Sequence, residues 1–384
     1  MFLVAGEPSG DALGGRLMAA LRRQAEGGVE FAGVGGEAMA AEGLASLFPQ
    51  SDVTLMGFLE VVPHLPRVLR RIDQTVTAAR AFRPDAVVTI DSPGFGLRVA
   101  RRLSRPGRRI LLVHYVAPAV WAWRPGRAAR IARYLDLILA LLPFEPPWFE
   151  RHGLRCVYVG HPVTESVPGG LDAQGFRRRV GIPPGAPLLV ALPGSRPSEI
   201  RHLLPVFGGA IELLRRRVEG LHVVVPTVPP VGEAVAAWAA SLPVPVVVTT
   251  TARDKYEAFA AGDAALAASG TVTLELAALG VPTVLAYKGN RLSAAIVRRL
   301  ITVNHVGLVN IIAGRGVEPE LLQENCRPET LAAAVGRLFS DAAAREAQKR
   351  GFTEVMARLA GPRPPRVGPA AAILELVAAR AGSR

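Results

Sequence analysis

The chain has only two cysteines, Cys156 and Cys326, far apart and in no metal-ligand spacing. That leaves no disulfide framework and makes a reducing compartment the simple reading. Aromatic residues amount to 6%, while Val, Leu and Ala dominate the apolar half, a composition suited to buried parallel strands under helices. No apolar run is long enough to span a membrane, because Arg, Pro or Asp interrupts every candidate. A signal-peptide core is missing too: the short run Phe2–Ala5 is followed at once by Gly6, Glu7, Pro8 and Ser9. There is no G-x-x-x-x-G-K-[ST] loop, which argues against ATP hydrolysis, and no G-x-G-x-x-G after a strand. No Asp-x-Asp pair occurs, so a metal-dependent nucleotide-sugar site of that type is not expected. Neither a metal nor another cofactor is called for.

What the chain does have is size and positive charge. Its 384 residues are half hydrophobic, enough for two cores and hence two domains. The net charge of +13 predicts attraction to nucleic acid, phosphorylated metabolites or an acidic lipid surface, although a solvated basic surface carries the same number. Arg98, Arg101, Arg102 and Arg105 share one helical face, and Arg124, Arg127, Arg130 and Arg133 recur every third residue, placing this charge in the first half. These arginines lack interleaved aromatics and no RNA-binding signature is present, so nucleic acid is not expected as a partner. Nearby, Val53–Ile72 is apolar but broken by Pro63, Pro66, Arg67, Arg70 and Arg71. It fits either a segment dipping into a lipid headgroup layer or one buried against its own core.

Short apolar runs alternate with longer amphipathic segments, the pattern of βαβ units and parallel sheets. Strands are predicted at Phe2–Ala5, Glu30–Val34, Ala86–Ile90, Ile110–Val116, Leu137–Leu141 and Cys156–Val159. In the second half they are predicted at Leu188–Leu192, His222–Val225, Val244–Thr249, Ala264–Ala267 and Thr283–Ala286. The predicted helices include Asp11–Gln24, Ser198–Val218 and Thr271–Leu279. Pro and Gly break the series near Val163–Gly170. The expected architecture is α/β, two Rossmann-like doubly wound domains facing across a cleft, with boundaries at 1–165 and 166–350. A helical tail over 351–384 is expected to pack back towards the first domain.

Two strand-to-helix turns carry the clearest chemistry. "LPGSRPSEI" leaves a strand through Gly194, which lets the backbone approach a ligand, and enters a helix whose free N–H groups favour an anion. Ser195 adds a hydroxyl, and Arg196 a guanidinium able to grip phosphate oxygens in pairs. "ASGTVTLEL" repeats the device through Ser269, Gly270 and Thr271, with Thr271 placed to cap the helix. Glu275, one turn on, can accept both hydroxyls of a ribose, or simply sit favourably in the first turn. Together the turns describe a nucleotide diphosphate site better than chance turns do.

In the first half, Asp91 follows its strand directly, where a doubly wound sheet opens its ligand crevice, and can act as a base or merely start a turn. "AGEPSGD" offers Glu7, Ser9 and Asp11 at the same edge, Asp11 also being a candidate cap for the helix that follows. "HYVAPAVWAWR" adds His114 with Trp121 and Trp123, whose indoles could line a sugar or acyl pocket or anchor the core.

Eight segments, "AGEPSGD", "IDSPGF", "HYVAPAVWAWR", "LLPFE", "VGHP", "LPGSRPSEI", "ASGTVTLELAALGVPTVLAYK" and "NIIAGRGVEPELLQ", stand in an order that resembles the lipid-A-disaccharide synthase family, nearly end to end. The resemblance implies a GT-B fold with an acceptor-binding, membrane-facing N-terminal domain and a C-terminal UDP-sugar domain. It implies metal-independent, inverting transfer of 2,3-diacylglucosamine from UDP to the 6-hydroxyl of 2,3-diacylglucosamine 1-phosphate (lipid X). By the same resemblance Asp91 is the general base and Arg196 faces the donor diphosphate. Gly194, Ser195, Ser269, Gly270, Thr271, Glu275 and Asn310 belong to the donor site. Glu7, Ser9, Asp11, His114, Trp121 and Trp123 belong to the acceptor side or support it. The implied setting is the cytoplasmic face of the inner membrane, bound peripherally to anionic lipid, with a homodimer left open.

The chain departs from the family's Ile-Asp-x-Pro-Asp-Phe-Asn at Gly94 and Gly96, which removes a side chain that would support the base or the acceptor. It also opens almost on its first strand, as a shifted start codon or a truncation would each produce. The alternatives are another UDP-sugar GT-B enzyme, such as a UDP-N-acetylglucosamine 2-epimerase, and a non-catalytic nucleotide-sugar-binding protein.

Overall fold

Short runs of Val, Leu, Ile and Ala bounded by turn residues become strands because both of their faces can be covered by helices. A computed structural model of the chain describes residues 1–25, 27–54, 65–104, 110–290, 302–361 and 368–382. By contact the chain divides into two units, Met1–Gly160 with Gly361–Arg384, and His161–Ala360.

The first unit holds β1 (Phe2–Ala5), β2 (Ala32–Val34), β3 (Ala86–Ile90), β4 (Leu111–Tyr115), β5 (Leu137–Ala140) and β6 (Arg155–Tyr158), in the order β2-β1-β3-β4-β5-β6. All pairings are parallel, as in Leu3↔Val88 and Val88↔Val113. Helices cover both faces. Val4, Val87, Leu112 and Ile138 meet the helices Leu65–Phe82 and Gly96–Leu103 on one side. Leu3, Val88, Val113 and Leu139 meet the helix Pro8–Gln24 on the other. The chain's last helix, Pro369–Ala381, returns to this second face, burying Ala370, Ala372 and Ile373, and Glu375 pairs with Arg155 at 2.6 Å.

The second unit holds β7 (Leu188–Leu192), β8 (His222–Pro226), β9 (Val246–Thr249), β10 (Ala264–Ala268), β11 (Thr283–Tyr287) and β12 (Glu320–Leu322), in the order β12-β11-β10-β7-β8-β9. β12 is absent from the predicted strands: three residues carrying a Glu give no apolar run to read. Helix Ala342–Ala360 runs through position 350 without a break, and buries Phe352, Val355 and Leu359. The unit therefore extends to Ala360 rather than ending at 350, and it begins at His161 rather than at 166.

The expected α/β class with two doubly wound parallel sheets is what the chain adopts. In the first sheet the strand order reverses between β1 and β3, and in the second between β7 and β10. A parallel sheet opens its crevice at such a reversal, beyond the carboxyl ends of the strands. Those four strand ends carry most of the residues singled out from the sequence.

Candidate functional site

In the first unit, the turns after β1 and β3 meet. The Ser9 hydroxyl donates to Asp91 Oδ2 at 2.6 Å, tying the start of helix Pro8–Gln24 to the end of β3. Gly10 permits this approach, since a Cβ there would lie 3.0 Å from the Ile90 carbonyl and 3.4 Å from Asp91 Cβ. Asp91 and Ser92 both take left-handed backbone, with φ of 51° and 37°, and Val116 just beyond the neighbouring β4 has φ of 79°. Such conformations cost about 1–3 kcal/mol each and persist where the surroundings over-determine them, commonly at functional sites. The Asp91 N–H donates to the Tyr115 carbonyl at 2.8 Å, which fixes the strained turn to β4.

The other residues marked in this unit take supporting places. Asp11 does not cap its own helix. Its carboxylate accepts the N–H groups of Gly36, Ala38 and Met39 at 2.8–3.0 Å, and so holds the start of helix Glu37–Ala41. The carboxylate thereby fills the anion position of the Gly33–Gly36 turn, where a Cβ on Gly36 would lie 2.8 Å from Asp11 Oδ2. Asp11→Ala is expected to destabilise the protein by about 1–3 kcal/mol, because three N–H groups lose their partner, measurable as a lowered denaturant midpoint.

Glu7 is the N-cap residue of helix Pro8–Gln24 without a side-chain cap bond, and its carbonyl accepts from Gln50 Nε2 at 3.1 Å. His114 is fully buried below the turn, its Nδ1 2.8 Å from the Thr89 hydroxyl. Burial, with Arg127 nearby, lowers its pKa to about 3, so it is neutral at pH 7 and supports the turn from beneath. Trp121 is buried as a core anchor, packed edge-on to Phe144 at 5.1 Å, and donates to Glu145 Oε1 at 3.1 Å. Its indole therefore faces protein, and only Trp123, half-buried beneath the Arg124 guanidinium at 4.9 Å, reaches the surface.

Gly94 and Gly96 differ in what they would tolerate. Among the described residues a Cβ on Gly94 meets nothing within 4 Å, whereas one on Gly96 lies 3.0 Å from Thr89 Cβ, beside the Thr89–His114 pair. Gly94→Asp should leave stability at or above that of the parent, because the side chain has open space and arginines nearby favour a carboxylate. Gly96→Asn should cost about 1–3 kcal/mol through overpacking. Thermal denaturation of the two variants checks the contrast.

In the second unit, β7 and β10 are register neighbours, with Ala267 opposite Leu192, so their two turns emerge side by side at the reversal. Gly194, at φ of 119°, makes the first turn, and Arg196 stands at the N-cap of helix Pro197–Leu214. The Ser195 N–H donates to Glu199 Oε2 at 3.0 Å, and Arg196 lies 3.5 Å from Glu199 Oε1 with nearly half its side chain exposed. In the sequence, Glu199 is marked by nothing more than its i, i+3 spacing from Arg196.

At the second turn, Gly270 and Thr271 are exposed and Ser269 half-buried, its N–H donating to Ala286 O at 3.1 Å. Thr271 makes no side-chain cap bond: it sits in helical backbone, φ −62° and ψ −21°, rather than the extended form an N-cap takes. Glu275 accepts from Lys255 Nζ on both oxygens, at 2.9 and 2.8 Å, and from the Tyr256 hydroxyl at 3.0 Å. Lys255 and Tyr256 belong to helix Ala252–Ala261 and carry no local sequence signal. With three of its roughly four lone-pair positions used, Glu275 keeps about one for a ligand hydroxyl.

Asn310 is buried with its amide fully engaged. Nδ2 donates to Glu318 O and Glu320 Oε1, while Oδ1 accepts from Val317 N and Glu318 N. It therefore organises the 314–320 loop and has no donor or acceptor left for a ligand. Behind it, both carboxyl oxygens of buried Glu318 lack a hydrogen-bond partner among the described residues, and burial with Glu320 nearby pushes its pKa up to about 8. Folded Glu318 thus holds a proton that the unfolded chain releases near its ordinary value, so its ionisation removes stability as pH rises from about 4.5 to 8. Glu318→Gln is expected to flatten that loss and to exceed the parent in stability above pH 8, read from denaturant midpoints across pH.

Among the described residues no group of three His, Cys, Asp or Glu is placed to hold a metal ion, and no helix is long and apolar enough to cross a membrane.

The family model for lipid-A-disaccharide synthetase matches residues 1–361. A lipid-A-disaccharide synthase of Rhodospirillum centenum is 55% identical over 99% of this chain and 95% of its own length. That of Paramagnetospirillum magneticum is 51% identical over 94% and 92%. Among solved structures, the UDP-GlcNAc 2-epimerase of Neisseria meningitidis bound to UDP-GlcNAc superposes with a TM-score of 0.59 at 11% identity, covering 99% of this chain and 98% of that one. The calicheamicin glycosyltransferase CalG4 gives 0.58 at 17% identity, with the same coverage. At these identities the structural likeness speaks for the fold class alone, GT-B.

Proposed function

The chain belongs to the lipid-A-disaccharide synthase family, and from that premise we propose that it transfers 2,3-diacylglucosamine from UDP to the 6-hydroxyl of 2,3-diacylglucosamine 1-phosphate. The observation that carries the donor half is the pair of turns, Gly194–Arg196 and Ser269–Thr271, side by side at the reversal between β7 and β10. In this reading the donor diphosphate replaces the Glu199 carboxylate at the Ser195 N–H, and Arg196 turns from Glu199 to the phosphates. Glu275, oriented by Lys255 and Tyr256, spends its remaining lone pair on the ribose. Asn310 acts through the loop it fixes.

The acceptor half rests on Asp91. Its carboxylate takes the proton of the acceptor 6-hydroxyl while the oxygen forms a bond to the anomeric carbon. The bond from that carbon to UDP breaks, its electron pair leaving with the diphosphate, where Arg196 stabilises the charge. A single displacement inverts the anomeric centre. Ser9 holds Asp91 in place, so it is a positioning residue.

Peripheral membrane attachment at the cytoplasmic face belongs to the same reading. Leu65 and Leu69 are exposed one turn apart on helix Leu65–Phe82, beside exposed Arg67 and Arg70. That combination suits an anionic lipid surface. The segment 55–64, central to the sequence expectation here, lies outside the described residues, as does Arg105.

A donor comparison tests the proposal. With diacylglucosamine 1-phosphate present, UDP should be released from UDP-2,3-diacylglucosamine and not from UDP-N-acetylglucosamine. Equal use of both donors, or epimerisation of the second, would remove it in favour of the epimerase reading. UDP binding without any turnover would favour a nucleotide-sugar-binding protein.

A further inference from the structure

The two arginine series seen in the sequence converge in the folded first unit. Helices Gly96–Leu103 and Arg127–Ala132 pack on the same face of the sheet, burying Leu97, Val99, Ala128 and Ile131 in one core. Their outward sides border a half-open cavity of about 640 Å³ lined by Arg98, Arg101, Arg124, Arg127, Arg130 and Arg133. Among the described residues no lining residue is acidic. None of the six arginines has an ion-pair partner among the described residues, while nearby Arg102 is paired to Asp73. Arg127 is half-buried, and burial together with Arg124, Arg130 and Arg98 lowers its pKa from the ordinary arginine value. Six like charges gathered without a counter-charge repel one another, and the arrangement is stabilised when an anion enters. Planar guanidinium groups grip phosphate oxygens in pairs.

The cavity's place in the fold narrows the occupant. Pro93 and Gly94 line it, two and three residues beyond Asp91, and Arg127 reaches the Pro93 carbonyl at 3.5 Å. We propose that this cavity binds a phosphate group carried on a lipid. Resting on the proposed function, the occupant is the anomeric phosphate of the acceptor, whose other end presents its 6-hydroxyl to Asp91. The cavity then selects phosphorylated acceptors and sets the register of the sugar. A phospholipid headgroup offers the same chemistry from a second source.

The variants Arg130→Ala/Arg133→Ala and Arg98→Ala remove exposed side chains without burying a partner, and Arg130→Lys/Arg133→Lys keeps the charge. Three measurements on the full chain separate the outcomes: displacement by inorganic phosphate, acceptor KM in phospholipid-free micelles, and sedimentation with phosphatidylglycerol vesicles. The alanine variants should bind inorganic phosphate at least about 10-fold more weakly and raise the acceptor KM by about the same factor, since one charge-assisted contact is worth about 1.5–3 kcal/mol. UDP affinity, kcat and the KM for an acceptor lacking its phosphate should not change, and the lysine variant should recover part of the loss. Weaker phosphate and vesicle binding with an unchanged acceptor KM assigns the cavity to a headgroup instead. Unchanged phosphate binding, acceptor KM and vesicle binding overturn the proposal. If the parent protein releases no UDP at all, the functional reading fails, and the phosphate and vesicle measurements still decide the cavity.

Discussion

Asp91→Asn is expected to lower kcat for sugar transfer by about 10²–10⁴-fold, the usual contribution of a positioned general base, with little change in UDP affinity. The amide keeps the volume and the Ser9 contact but cannot take the proton. Its backbone is already strained at φ of 51°, and the next residue at 37°, so Asn, which tolerates the left-handed region well, preserves the turn. This makes Asn a cleaner probe than Ala. Ser9→Ala, which frees the carboxylate that Ser9 holds at 2.6 Å, should reduce kcat by a smaller factor, and the loss should be absent in the Asp91→Asn background. Steady-state kinetics on the four combinations read this directly. Additive losses would place Ser9 in a separate role, and near-parent turnover by Asp91→Asn would remove the base assignment.

Arg196→Ala carries the second large effect. Removing a group that stabilises developing charge on the leaving diphosphate should cost about 10²–10³-fold in kcat. Because the same guanidinium also meets the ground-state phosphates, donor KM should rise as well. Arg196→Lys should recover only part of the activity, since an ammonium lacks the paired donors of a guanidinium. Glu199, the group now pairing with Arg196 and the Ser195 N–H, gives the internal check. In Glu199→Gln the anion position loses its resident charge, so UDP should bind more tightly, as isothermal titration would show.

Much of the fold is legible in the chain because parallel strands buried on both faces leave unbroken apolar runs. Leu188–Leu192 and Ala86–Ile90 match the predicted bounds residue for residue. β12 leaves no such trace. It is three residues long, at the sheet edge, and its Glu320 is recruited by Val306, Gly307 and Asn310. The turns at the ends of β1, β3, β7 and β10 are legible as well, because each carries a glycine and a serine, residues that suit a tight strand-to-helix turn.

What the sequence cannot show is who their partners are. Asp11 reads as a local cap, yet it serves a helix that begins at Glu37. Asn310 reads as a ligand contact, yet the folded loop consumes all four of its hydrogen-bonding positions. Lys255 and Tyr256 reach Glu275 only through the packing of separate helices. The arginine periodicities are visible as two stripes, but their convergence depends on two helices sharing one face of the sheet.

The measurement that tests the central claim most directly is the product formed from UDP-2,3-diacylglucosamine labelled with ¹³C at the anomeric carbon and diacylglucosamine 1-phosphate. The account predicts one UDP released per disaccharide, with the labelled carbon β-linked to the acceptor's 6-oxygen. An α-linked product, or UDP released without a disaccharide, would contradict it.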